Sequence, residues 1–235
     1  AIPRPEARSK YGNGPVYEVL GKRYTVMPSS SGYQERGVAS WYGKKFHGNL
    51  TSNREVYDMY AMTAAHKTLP LPTYVRVRNL SNNKSIVVRV NDRGPFVHNR
   101  IIDLSYAAAI KLDMIRDGTS LVEVTAINFD QPQGDRPVRA SSPPSPEPAG
   151  PALPAATANR IYVQVGAFGE RANAQRRLGD LERAGIGDAF IHEELTADRI
   201  LYRVRIGPIA DVVQYDVIVD ELEAMGINDP YLVSE

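Results

Sequence analysis

The sequence predicts two small domains, a closed six-stranded β-barrel and an α+β sandwich of βαββαβ order, joined by a proline-rich tether. Three observations predict this. Apolar runs of strand length follow one another between Gly37 and Asn128, and strand and helix patterns alternate from Ile161 onward. Between them, residues 131–158 hold eight of the 17 prolines and no aromatic residue. At 235 residues, 43% of them hydrophobic and 8% aromatic, the chain has the length of one large globular domain or two small ones.

Residues 1–34, with scattered Gly, Pro and Ser, read as an extended lead-in. The first domain, 35–130, carries runs at Val38–Tyr42, Tyr60–Ala65, Tyr74–Asn79, Ser85–Asn91, Arg100–Leu104 and Leu121–Ile127. In Tyr74-Val75-Arg76-Val77-Arg78, valine alternates with polar or aromatic residues, the period of a half-buried strand. The turn cluster Ser81-Asn82-Asn83-Lys84 makes a hairpin of the third and fourth runs. One helix is expected from Ser105, its N-cap, through Leu112. Six short strands and a single helix in this span favour a closed barrel.

The segment 131–158 cannot bury enough apolar surface to fold, and its prolines make it a semi-stiff spacer. In the second domain, 159–235, a strand from Ile161 to Phe168 leads to a helix from Glu170 to Ala184, with Ala174, Leu178, Leu181 and Ala184 on one stripe. Strands follow at Ala189–Ile191 and Leu201–Ile206. Asp211 and Gln214 then open a helix expected to face inward through Val213, Val217, Leu222 and Met225, and Tyr231–Val233 closes the order. This is a ferredoxin-like sandwich.

The formal charge of +1 describes neither half. Residues 1–130 hold 18 basic and 11 acidic side chains, whereas residues 158–235 hold 8 and 14. With no cysteine, disulfides, thiolate metal sites and cysteine nucleophiles are excluded. No run of eighteen apolar residues can span a membrane, and no segment has the pattern of a signal peptide. The histidines at 47, 66, 98 and 192 lack the spacing of a local metal motif, so no metal site is expected. A sheet of this kind can also bind RNA by stacking; the acidic balance of the second domain argues against nucleic acid.

Five words in order carry a resemblance: Gly37-Val38-Ala39-Ser40-Trp41-Tyr42-Gly43, Phe46-His47-Gly48, Thr63-Ala64-Ala65-His66, Arg89-Val90-Asn91-Asp92-Arg93-Gly94-Pro95-Phe96 and Ile102-Asp103-Leu104-Ser105. Together they resemble the double-psi β-barrel of the rare lipoprotein A family, related in fold to expansins and some endoglucanases. The resemblance implies lytic transglycosylase activity on peptidoglycan, without a cofactor. One departure is visible at Thr51-Ser52-Asn53-Arg54-Glu55: where the family usually has a glycine-type turn, this chain has Arg54, which tolerates positive φ poorly, so a different turn is expected ahead of Glu55.

Cleaving a glycosidic bond needs a carboxylic acid for the leaving oxygen and stabilisation of an oxocarbenium-like carbon. In a transglycosylase the muramic 6-hydroxyl attacks that carbon, and one carboxyl can serve first as acid and then as base. Asp92, at the point where a strand opens into a loop, is the first choice; an Asx turn is its structural alternative. Glu55 follows as a second carboxylate, and Asp103 either lines the groove or competes with Ser105 to cap the helix. His66 is expected to hydrogen-bond a carboxylate and tune it, or else to be structural. Asp58 ranks last among the carboxylates. Trp41 and its neighbour Tyr42 suit the apolar face of a sugar, although a core role for Trp41 has equal standing.

In the second domain, Tyr162-Val163-Gln164-Val165-Gly166-Ala167-Phe168 and Tyr202-Arg203-Val204-Arg205-Ile206-Gly207-Pro208 resemble a SPOR domain. That implies binding to septal peptidoglycan, preferentially glycan stripped of stem peptides. Alternation places Tyr162, Gln164, Arg203 and Arg205 on the open face, where with Phe168 they are expected to meet sugar hydroxyls and lactyl carboxylates. Ordinary surface ion pairs are the other reading of the two arginines.

The function expected is therefore an endolytic peptidoglycan lytic transglycosylase leaving 1,6-anhydro ends, targeted to the septum, monomeric and periplasmic. Outer-membrane anchoring through a lipid upstream of this chain is implied by the resemblance alone. The alternative is a non-catalytic, expansin-like wall-binding protein or septal scaffold.

Overall fold

The computed structural model describes residues 1–129, 160–196, 198–228 and 230–234; the tether expected at 131–158 lies outside the described residues. The lead-in is not simply extended. It folds back as a hairpin of β1 (Val16–Val19) and β2 (Lys22–Thr25), joined by Leu20 and Gly21, both at positive φ as a two-residue hairpin turn requires. Upstream of it, Asn13 exchanges hydrogen bonds with the backbone of Leu71 at 2.7 and 2.8 Å, and Ser9 N donates to Leu71 O at 2.8 Å.

Six strands close the barrel: β3 (Gln34–Tyr42), β4 (Thr63–His66), β5 (Thr73–Asn79), β6 (Ser85–Asp92), β7 (Arg100–Ser105) and β8 (Ser120–Ala126), in the order β3-β7-β4-β6-β5-β8. The β3–β7 and β4–β6 pairs are parallel and the rest antiparallel. Expected and observed strands agree closely except at β3, which starts at Gln34 rather than Val38, and at β4, which starts at Thr63 rather than Tyr60. Asp58 explains the delay, because its side chain and carbonyl take the amides of Tyr60 and Ala61 in a turn.

Inward-facing Ala39, Ala64, Val75, Val77, Val88, Val90, Ile102, Leu104, Val122 and Val124 fill the barrel. Helix α1 (Tyr106–Leu112) adds Ala108, Ala109 and Leu112 to that core. Ser105 caps it, accepting Ala108 N at 3.2 Å while donating to Ala61 O at 2.6 Å, so Asp103 is released from capping.

The second unit runs β9 (Ile161–Phe168), α2 (Arg171–Arg183), β10 (Ala189–Leu195), β11 (Ile200–Ile206), α3 (Val212–Ala224) and β12 (Tyr231–Ser234), with sheet order β10-β11-β9-β12. The phase of α3 differs from expectation. Val213 and Val217 are exposed, and the buried stripe is Tyr215, Ile218, Val219 and Leu222, which also has i, i+3, i+4, i+7 spacing. Both patterns are apolar, and only the sheet decides which one is covered. Arg100, at the start of β7, makes a two-point pair with Asp216 of α3 at 2.9 and 3.0 Å.

Candidate active site

Strand β4 carries the centre of the site. Ala65 pairs with Asp92 of β6 on one side and with Asp103 of β7 on the other. The two carboxylates therefore stand two strand spacings apart, about 10 Å between backbones. The preceding level, Ala64 with Val90 and Leu104, points into the core, so the Ala65 level points out. A register shift between Ala64 and Ala65 skips Asn91 and brings Asp92 level with Asp103.

Asp92 is held tightly on one oxygen. Its Oδ1 accepts Ser52 N at 2.8 Å, Ser52 Oγ at 2.6 Å and Arg93 N at 2.8 Å. These three bonds fix the plane of the carboxylate and leave Oδ2 uncommitted among the described residues. Asp103 receives the hydroxyl of Ser40, its cross-strand partner on β3. Burial raises the Asp103 pKa above the ordinary aspartate value, and the nearby charge of Asp92 adds to this against the opposing Ser40 bond, Lys67 and Arg100.

Glu55 sits at the end of the loop that supplies Ser52. The loop is closed by Thr51 N to Glu55 O and Arg54 N to Thr51 O, each 2.8 Å, and by Thr51 Oγ1 to Asn53 Oδ1 at 2.7 Å. Arg54 takes φ 70°, the left-handed conformation that a glycine adopts at least cost. The hydrogen bonds of the loop hold Arg54 in a conformation costing about 1–2 kcal/mol, and its guanidinium rests over the Tyr11 ring, 4.7 Å from the centroid.

The Glu55 carboxylate accepts Arg89 Nη1 at 2.6 Å, Arg89 Nη2 at 2.9 Å and Asn91 Nδ2 at 2.9 Å. Partial burial pushes its pKa up, but these bonds outweigh it and hold the group below the ordinary glutamate value. Beneath the carboxylates, Tyr42 stacks on Tyr57 at 4.2 Å between centroids, and Tyr57 donates to Tyr42 O at 2.7 Å. Burial pushes the Tyr57 phenol up to about 12 and the Tyr42 phenol higher still, so both keep their protons. The hydroxyls of Tyr42 and Thr63 are both buried and lie near each other.

On the second unit, Phe190, Arg205, Gln164 and Tyr231 stand in one cross-strand row. Arg205 Nε donates to Gln164 Oε1 at 3.2 Å, and Gln164 Nε2 donates to Tyr231 Oη.

Residues 34–124 match the family model described as lytic transglycolase, and residues 157–234 match that of the SPOR domain. The endolytic peptidoglycan transglycosylase RlpA of Pseudomonas aeruginosa strain UCBPP-PA14 is 38% identical over 273 residues, covering 99% of this chain and 80% of that protein. The chain belongs to the RlpA family. RlpA of Neisseria meningitidis serogroup A is 41% identical over 196 residues, 83% of this chain and 73% of the relative. Among solved structures, the RlpA SPOR domain from Pseudomonas aeruginosa is 30% identical, covers 31% of this chain and 96% of that one, and has a TM-score of 0.30.

In this RlpA-family barrel, Asp92, Glu55 and Asp103 come together at the outward level of β4, β6 and β7 and the loop beside it. His66 does not join them. Its ring is buried, with Nδ1 accepting Thr68 N at 3.2 Å and Leu69 N at 3.0 Å and Nε2 2.7 Å from Tyr33 Oη. The carboxylate contact expected of His66 is therefore absent, because one residue past Ala65 the strand alternation turns the ring to the opposite face. Trp41 is half-buried against the barrel core, with Tyr106 at 5.7 Å between centroids. Ser40, Ser52, Arg89 and Asn91 were missed by sequence reasoning. Arg89 and Asp92 do share one word, and the strand period gives a signal for Arg89 that points outward.

In the SPOR unit, Tyr162, Gln164 and Arg205 are buried rather than presented openly. Buried polar groups must be paired, and the Arg205-Gln164-Tyr231 row pairs them, while the Tyr162 ring packs on Phe190 at 5.5 Å. Phe168 is partly buried and packs against the hydrophobic core. Arg203 is bonded to Glu194, which is the ion-pair reading of that residue.

Proposed function

We propose that this chain is an endolytic peptidoglycan transglycosylase whose reaction runs at the Asp92, Glu55 and Asp103 cluster. The observation that carries the site is the clasp on Asp92: a carboxylate fixed through one oxygen, with the other open to exchange a proton, is built to act first as acid and then as base. In this reading Asp92 protonates the oxygen of the MurNAc-GlcNAc bond as it breaks. Positive charge grows on the muramic anomeric carbon, and Glu55, kept ionised by Arg89 and Asn91, stabilises it. The muramic 6-hydroxyl then attacks that carbon and passes its proton back to Asp92, closing a 1,6-anhydro ring with no water consumed. Asp103, raised by burial, holds a proton more readily than an ordinary aspartate.

The substrate is glycan stripped of stem peptides, and the SPOR unit carries the enzyme to such strands at the division septum. Tethering raises the local concentration of substrate around the barrel. A monomer in the periplasm, anchored to the outer membrane by an upstream lipid, completes the reading.

The test is incubation with amidase-stripped glycan and mass spectrometry for 1,6-anhydromuramic ends. Product from wild type and none from Asp92→Asn is expected. Binding without product from wild type would sink the enzyme reading in favour of a wall-binding protein, and equal activity in Asp92→Asn would sink the site assignment alone.

A further inference from the structure

Lead-in and barrel meet on a single guanidinium. Arg89 of β6 grips Glu55 through both terminal nitrogens, at 2.6 and 2.9 Å. The same group gives Nη2 to Glu6 Oε2 at 2.8 Å and Nε to the two Glu6 oxygens at 3.1 and 3.2 Å. Glu6 is backed in turn by the Tyr74 hydroxyl from β5 and by Arg4 Nε at 3.3 Å. The side chains of Arg89 and Glu6 are 18% and 19% exposed and that of Glu55 is 42% exposed, so Glu55 is the open end of the chain of contacts.

We propose that Glu6 is a positioning residue: by holding Arg89 from behind it fixes the Glu55 carboxylate at the groove, which makes the lead-in a working part of the catalytic unit. This rests on the reading of Glu55 given above. Anchoring alone does not require the contact. Asn13 already ties the lead-in to Leu71, and Arg93 ties it through Gly12 O at 2.7 and 2.9 Å. Instead, Glu6 reaches the cation that grips Glu55. A guanidinium is a planar fork on a flexible stem, so a carboxylate behind it sets the direction in which the remaining donors point.

The shared cation also has an electrostatic consequence. The groups facing Glu55 are Arg89 and Asn91 from β6, Asn53 from its own loop and, across the guanidinium, Glu6 with Tyr74 and Arg4 behind it. The Arg89 bond, against some burial, holds Glu6 near a pKa of about 2. Glu55 therefore shares its cation with a second carboxylate.

The test uses the full chain with carbon-13 labelled carboxylates. Glu55 is titrated by NMR without substrate, and kcat and KM are followed against pH on peptide-stripped glycan. Glu6→Gln is expected to move the Glu55 titration down by about half a pH unit or more, as Arg89 turns its whole charge to Glu55. It is also expected to lower kcat about tenfold while KM changes less than about twofold. Glu6→Asp keeps the charge and shortens the reach, so Glu55 should titrate near its wild-type position with kcat still reduced. A folded Glu6→Gln with Glu55 titration and kcat unchanged overturns the proposal, even if its melting temperature falls. Wild-type kcat in Glu6→Asp overturns the geometric part. A wild type that cleaves no glycan would sink the catalytic reading of Glu55, and the NMR titration would still decide whether Glu6 acts on that group.

Discussion

Ser52 holds Asp92 twice, through its amide at 2.8 Å and its hydroxyl at 2.6 Å, with both bonds on Oδ1. The amide sets the position, and the hydroxyl, which also accepts Arg93 N at 3.1 Å, closes the clasp from the side. Ser52→Ala should remove the second bond while the loop, fastened by Thr51 and Asn53, stays folded. A charge-assisted bond of this kind contributes about 1.5–3 kcal/mol, so the melting temperature is expected to fall by a few degrees, and kcat on stripped glycan at least about tenfold as Asp92 loses its alignment. An unaltered kcat would show that the amide alone orients Asp92.

His66 gives a pH prediction for the fold. With Nδ1 accepting two amides, the neutral ring carries its proton on Nε2 toward Tyr33. Burial, with Arg93 and Lys67 adding, lowers its pKa to about 3. Its unfolded value is about 6.5, so the buried neutral ring stabilises the fold fully above that pH and loses about 1.4 kcal/mol per pH unit as pH falls toward the folded value. Urea denaturation of wild type should therefore weaken more steeply between pH 7 and pH 5 than that of His66→Gln. Parallel slopes would contradict the buried neutral ring.

Arg93 is the brace between lead-in and barrel. Besides Gly12 O, its guanidinium reaches His66 O at 3.1 Å and Leu69 O at 2.5 Å. A lysine ammonium cannot serve these directions at once, so Arg93→Lys is expected to cost about 1–3 kcal/mol and to open residues 1–15 to limited proteolysis. Protection equal to wild type would mean that Asn13 suffices to hold the segment.

The SPOR row separates two kinds of arginine. Gln164→Ala removes the acceptor of Arg205 Nε and the donor to Tyr231 from a buried position, with an expected loss of about 1–3 kcal/mol and weaker binding to stripped glycan. Arg203→Ala loses a pair with Glu194 whose side chains are 22% and 44% exposed, worth under about 1 kcal/mol. Thermal melts and glycan pull-downs of both variants check this; equal destabilisation would deny the row its structural weight.

Much of the fold was legible because its signals are local. Alternating valines in Thr73–Asn79 and Ser85–Asp92, a turn cluster between them, and Ser105 ahead of an alanine-rich stretch each decide their own element through neighbours in sequence. The α3 phase was not legible in this way, since two apolar stripes compete on one helix and the sheet covers only one of them.

The sequence by itself determined the barrel, the βαββαβ order and the family, because strand period and motif words are properties of adjacent residues, and the resemblance those words carry put forward Asp92, Glu55 and Asp103 as candidates. Tertiary structure decided the rest. It turned His66 away from the carboxylates, buried the Gln164 and Arg205 pair, and brought Glu6 from the lead-in to the guanidinium that grips Glu55. Each of those outcomes depends on which strand lies beside which, and a one-residue register shift at Ala65 is enough to set Asp92 level with Asp103.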